Sequence, residues 1–251
     1  MIQVIENPSA VVTVQTQAPQ SFRLDYAGEP LLIDPVQTSP EQFYNTVSLK
    51  RDGVFFARKT AGEASILCDR AWENLRIIAV DAANCYDGSV EKAIRVWICN
   101  LPHQMVTVDI VKTTEDTSLC TQFSVNNRDE TLNIHEYSQQ RLVFRRGGQG
   151  LKLFELISLT DGVPVSADLD RTQAGPVVGY AWEDKPGKEH LRVHTYSMDT
   201  SEAIPRWHVR LLENNAIRME YPGAEDWWDV LAEPNRITLT RKNGKQEVVL
   251  L

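Results

Sequence analysis

The residues best suited to touching a ligand are two adjacent tryptophans, Trp227 and Trp228, set among Glu225, Asp226 and Asp229. An indole beside carboxylates can stack on a sugar ring or anchor a protein interface, because it joins a broad apolar face to a polar edge. The early acidic residues, the helical spacing of Trp227, Val230 and Leu231, and Pro234 beyond them predict a short helix over 223–232. On such a helix the two indoles point to different sides, so one stays partly exposed. Arg145 and Arg146 precede Gly147-Gly148-Gln149-Gly150, which lacks both the spacing and the following helix of a phosphate-binding loop. They read as a charged strand end entering a hairpin tip. Trp227, Trp228, Arg145 and Arg146 are therefore the expected interface residues.

Other arrangements point away from a reactive centre. Nucleophile elbows, phosphate-cradling glycine loops and His-Glu-x-x-His zinc sites are absent from the sequence. His190 and His194 share one side of an extended strand but stand roughly 13 Å apart, too far to hold one ion. They read as surface or cross-strand histidines, while His103 follows Pro102 in a loop. Asp168 and Asp170 suit a solvated turn, or a calcium site built from oxygen ligands. Cys68, Cys85, Cys99 and Cys120 contain no Cys-x-x-Cys pair and are expected to be buried free thiols. No catalytic residue, metal or cofactor is expected, and the chain reads as not an enzyme.

The elements that must position these residues are strands. The clearest is the run Ile237 to Leu250, where Asn243-Gly244 predicts a two-residue turn pairing Leu239 with Val248 and Ile237 with Leu250. Asp52-Gly53 predicts a second hairpin with Leu49 facing Phe56, and Asn214-Asn215 a third between Arg206–Leu212 and Ile217–Tyr221. Further turn signals fall at Asp161-Gly162 and at Lys185-Pro186-Gly187. Arg95-Val96-Trp97-Ile98 tilts an ambiguous segment towards strand, and Ser39-Pro40-Glu41-Gln42 predicts a helix start. Strands about every ten residues predict a mainly β fold: two antiparallel β-sandwich or barrel-like domains with a few short helices, divided as 1–137 and 138–251 at the polar stretch between Thr121 and Arg141.

Leu142-Val143-Phe144-Arg145-Arg146-Gly147-Gly148, a strand through Leu159 and then Thr160-Asp161-Gly162-Val163-Pro164-Val165 resemble the immunoglobulin-like modules of bacteriophage baseplate and fibre proteins. The Asp that usually follows the glycine is missing, and Ser166-Ala167 replaces the usual acidic-Leu continuation. The resemblance spans about 25 of the 251 residues. It implies a virion component.

The 251 residues carry 26 basic and 34 acidic side chains, a net charge of −8, which disfavours sequence-independent nucleic-acid binding. No apolar run approaches the roughly 20 residues of a membrane span, and the first residues lack the pattern of a signal peptide. The expectation is a non-enzymatic structural or adaptor protein of a phage or virus particle, made in the host cytoplasm, whose partners are other structural proteins or copies of itself. The alternative is a carbohydrate-binding module or sugar-active enzyme using Trp227 or Trp228 with Glu225 and Asp229. A cysteine-ligated metal protein is a third reading.

Overall fold

The computed structural model describes residues 2–15, 20–33, 45–56, 62–86, 88–138, 141–158, 162–172, 175–221 and 226–251. The fold is mainly β, and the strand pairings among these residues are antiparallel. β1 (Ile2–Asn7), β2 (Ala10–Gln15), β3 (Phe22–Tyr26) and β4 (Glu29–Leu32) form a meander. β5 (Thr46–Arg51) returns to β6 (Val54–Phe55) through Asp52 and Gly53, both with positive φ, as the Asp-Gly pair predicts. The central sheet follows the order β7 (Ser65–Trp72), β8 (Leu75–Asp81), β9 (Val90–Asn100), the first half of β10 (Gln104–Asn126), β16 (Gly187–Thr200), β13 (Gln149–Ser158), β12 (Arg141–Arg146) and β11 (Asn133–Ser138).

β10 is shared. It pairs with β9 up to Thr113 and with β16 up to Lys112 and again, after a register shift, at Thr117; from Ser118 it pairs with β5 on one edge. On the other edge, from Cys120, it pairs with β15 (Gly175–Asp184), which continues to β14 (Gly162–Thr172). One strand thus threads two sheets. The turn at Lys185-Pro186 carries the chain from the first sheet to the central one instead of closing a hairpin. The predicted turn at Asp161 lies outside the described residues, and its flanking strands β13 and β14 pair in different sheets. The predicted boundary near residue 137 falls within β11, and β10 on its N-terminal side pairs with β15 and β16 on its C-terminal side. The helix predicted from Ser39 lies outside the described residues.

A third sheet is a five-strand meander of β17 (His208–Leu211), β18 (Ile217–Glu220), β19 (Trp227–Glu233), β20 (Arg236–Arg241) and β21 (Gln246–Leu250). Two expectations are corrected here. Trp227 to Ala232 is strand, not helix: Trp228, Val230 and Ala232 alternate inwards, and pairing to β18 and β20 overrides the helical spacing. The final hairpin is one residue out of the predicted register, with Leu239 opposite Glu247 and Ile237 opposite Val249. Its loop has three residues, because Gly244 takes φ +82° and Arg241 N–H donates to Lys245 O, the turn-plus-bulge solution for three-residue loops. A one-residue slip exchanges faces. Val249 is therefore buried, while Val248 and Leu250 are exposed.

The central sheet is covered on both sides. Val96, Ile98, Val106, Val108 and Val193 pack with Met219, Trp228, Val230, Ile237 and Leu239 of the third sheet. Trp97, Cys99, Met105, Tyr196 and Met198 pack with Val12, Leu24, Leu32 and Phe123 of the first. That double burial produces the near-continuous buried runs of β9, β10 and β16.

The face turned to the first sheet also holds a polar layer. Asp109 lies in register between Arg95 and Arg192, and Arg95 grips it through two bonds of 2.7 and 3.0 Å. His190 and His194, expected at the surface or across strands, are buried here. His190 Nδ1 lies 2.8 Å from Asp184 Oδ2. His194 packs against Phe123 and Trp182 with neither ring nitrogen hydrogen-bonded. Burial, then the Arg192 and Arg95 guanidiniums, push its pKa well below the usual histidine value.

This gives a signed pH dependence. Below about pH 6.5 the unfolded chain takes a proton on His194 that the folded chain refuses, so stability is lost as pH falls. The expected contribution is up to about 1.4 kcal/mol per pH unit. Urea unfolding between pH 7.5 and 5 should show this slope, and His194→Phe should remove it.

Candidate functional site

Two classes of connection meet at one end of the sandwich. The β3–β4 and β9–β10 turns bring Tyr26 and His103; the end of β16 and a 3₁₀ turn (Ile204–Arg206) bring Asp199 and Trp207; the end of β18 brings Tyr221. Close packing fixes the 3₁₀ turn. A Cβ on Gly150 would stand 2.7 Å from Ile204 Cγ2, and Lys152 Nζ donates to Pro205 O and Trp207 O at 2.9 and 3.2 Å. Glycine at 150 is what lets Ile204 sit against β13.

The rings form a row. Tyr26 and His103 have centroids 5.9 Å apart, His103 and Trp207 5.1 Å, and Trp207 and Tyr221 4.9 Å. Asp199 binds the row together: Oδ2 accepts from Trp207 Nε1 at 2.8 Å, and Oδ1 from Thr200 N at 2.8 Å and Tyr26 Oη at 3.5 Å. His103 Nδ1 lies 2.9 Å from Met198 O, which can only accept, so Nδ1 carries a proton; in the tautomer with one proton, Nε2 is the acceptor nitrogen. Burial and then Asp199 push the Tyr26 phenol up to about 12, keeping it protonated at neutral pH. Tyr26 is the buried end of the row, whereas His103, Trp207 and Tyr221 are half-buried and Arg206 is exposed. Aromatic faces rimmed by a phenol, an imidazole, a carboxylate and a guanidinium can stack on an apolar ring face while hydrogen-bonding its edge.

The four residues expected at an interface lie elsewhere and apart. Trp228 is buried between the central and third sheets, where its Nε1 donates to Gln104 Oε1 at 2.7 Å. Trp227 is half-buried on the outer face of the third sheet, with the Arg218 guanidinium 3.5 Å from its ring centroid. Arg218 also grips Asp229 at 2.8 and 2.9 Å. Glu225 lies outside the described residues. Arg145 is half-buried, and Arg146 is buried in ion pairs with Glu29 and Asp129. Hydrogen bonding from Arg146 holds the Asp129 carboxyl down at about 2. The side chains of Asp168 and Asp170 lie outside the described ones. Cys85, Cys99 and Cys120 are buried thiols, and Cys68 is half-buried.

Sequence reading missed the aromatic row because its members are scattered from Tyr26 to Tyr221 and no spacing joins them. The available signal was weak: His103 after Pro102 reads as a loop residue, whereas Trp207 falls within the strand predicted over Arg206–Leu212 and stands just before β17.

The fold and this end define an antiparallel β-sandwich, extended by a third sheet, with an aromatic and acidic cluster on its turns. No family model matches the chain. No curated protein matches it. Its fold is similar to that of a mutant of the heparan sulfate lyase HepC from Pedobacter heparinus, with 14% identity over 96% of this chain and 39% of that one, at a TM-score of 0.65. It is also similar to a heparinase III, with 11% identity over 100% of this chain and 41% of that one, again at 0.65. The chain thus spans about two fifths of the structures it matches. These likenesses overturn the expectation of a phage or virus structural component, since both of these structures are of carbohydrate-active proteins.

Proposed function

We propose that this chain engages a polysaccharide of the heparan sulfate kind at the turn end of the sandwich. The observation that carries the reading is the row Tyr26, His103, Trp207 and Tyr221 with Asp199 bonded beneath it. The likeness in fold to heparan sulfate lyases supports it. In this reading Trp207 and Tyr221 stack on a sugar ring, His103 Nε2 accepts from a hydroxyl, and the exposed Arg206 meets an acidic group. The proposal concerns binding by this chain, not turnover.

Calorimetric and tryptophan-fluorescence titration with heparan sulfate oligosaccharides, using neutral oligosaccharides as controls, tests it. Trp207→Ala is expected to weaken binding at least about tenfold, about 1.4 kcal/mol, as loss of a central aromatic anchor does. Trp227→Ala, on the far face of the third sheet, should leave binding unchanged. No saturable binding by the unaltered protein, or equal binding by Trp207→Ala, overturns the proposal.

A further inference from the structure

A cleft of about 620 Å³ opens between the β7–β8 turn at Glu73-Asn74 and the β20–β21 turn at Lys242-Asn243, with Asp226 and Arg241 on its wall. Arg241 is unusual among those lining it, being only 4% exposed. Its Nη1 donates to Asp226 Oδ2 at 3.2 Å, but its Nη2 is buried with no hydrogen-bond partner. A buried guanidinium donor left unpaired has lost its water without replacement. Asp226 compensates little, since its side chain is 62% exposed. Burial accordingly pulls the Arg241 pKa below the usual arginine value. The other acid on the wall, Glu73, is engaged by Lys245. Lys245 thus holds Glu73 from outside the cleft lining, leaving Asp226 as the acid that faces Arg241.

The cleft adjoins the aromatic row. Arg241 is the register partner of Trp228, whose indole donates to Gln104, the neighbour of His103. Asn74 on the cleft wall donates to Asn100 Oδ1 at 2.7 Å, at the start of the same β9–β10 turn. One extended ligand crossing that turn would meet both places.

We propose that this cleft is an oxyanion subsite, in which the unpaired Nη2 of Arg241, with Lys242 on the same wall, takes a carboxylate or sulfate of an acidic saccharide. This rests on the carbohydrate reading above but is tested without it. A guanidinium suits either group, because its planar donors match paired oxygens. Sodium sulfate and sodium glucuronate are titrated against sodium chloride at matched ionic strength, with the fluorescence of Trp228 beside Arg241 and the Tm as readouts. The expected result is a saturable response to sulfate or glucuronate, absent with chloride and weakened at least tenfold in Arg241→Gln. The stronger of the two anions identifies the group recognised. Where near-ultraviolet dichroism shows that Arg241→Gln has not folded, Lys242→Glu on the exposed turn replaces it, with the same loss expected. No saturable response in the unaltered protein, or unchanged affinity in the folded variant, overturns the subsite. Oligosaccharides that bind through Trp207 without sensitivity to Arg241→Gln overturn the subsite and leave the carbohydrate reading standing. Sulfate saturating through Arg241 with no oligosaccharide bound does the reverse.

Discussion

Asp109→Ala is expected to lower the free energy of unfolding by about 3–5 kcal/mol, the range for breaking a buried ion pair from one side. Asp109 and Arg95 are both essentially inaccessible, and the pair is bidentate at 2.7 and 3.0 Å. Arg95 also donates to Gln20 O and Asn45 O at 3.2 and 3.0 Å, so those carbonyls hold the guanidinium in place after the carboxylate is gone. It would then stand charged beside Arg192, the other register partner of Asp109. The penalty is thus that of an uncompensated buried charge and not of one lost hydrogen bond. Asp109→Asn should recover only part of it, because an amide keeps the shape but not the charge. Replacing both partners by apolar side chains of similar volume should be far milder than Asp109→Ala alone. Urea unfolding of the three variants checks this, and a loss under 1 kcal/mol in Asp109→Ala would contradict it.

Trp228→Ala should cost a similar amount, about 3–5 kcal/mol, by a different route. Its indole is 1% exposed and fills the space between the third sheet and Val96, Ile98, Val106 and Val108 of the central sheet. Truncation leaves a cavity that strands paired on both edges cannot close. It also removes one of two donors to Gln104 Oε1, leaving Asn100 Nδ2 at 3.1 Å, while Gln104 Nε2 is already without a partner. Trp228→Phe separates the two causes. It retains most of the volume and should lose about 1 kcal/mol for the hydrogen bond plus a smaller packing deficit. Thermal unfolding by dichroism compares them; equal losses in both variants would mean that the hydrogen bond, not the filled volume, dominates.

Strand content and several turns were legible in the sequence because their causes are local. Asp52-Gly53 closes the predicted hairpin since both residues accept positive φ. Asn243-Gly244 marks a turn as well, yet the same dipeptide serves two-residue and three-residue loops, and only the latter buries Val249. The dipeptide locates the turn without choosing between them. At β19 the apolar residues fit both a helical and an alternating pattern, and the neighbouring strands decide. His190 and His194 read as surface or cross-strand residues because nothing in the sequence says that a second sheet covers them. The candidate site was illegible for a related reason: Tyr26, His103, Asp199, Trp207 and Tyr221 meet only after the sheets have stacked.

The single strand threading two sheets and the local meander of the third imply different ways of coming apart. Separating the first sheet from the central one requires β10 to release both sets of partners, so those layers share one fate on unfolding. The third sheet is continuous in sequence from His208 to Leu250 and has no strand in common with the others. It meets them through side chains such as Trp228, which donates to Gln104, and Arg70, which donates to Val248 O. That arrangement makes it a separate opening unit, whose detachment would bare the apolar outer face of the central sheet while leaving every hydrogen bond within that sheet intact.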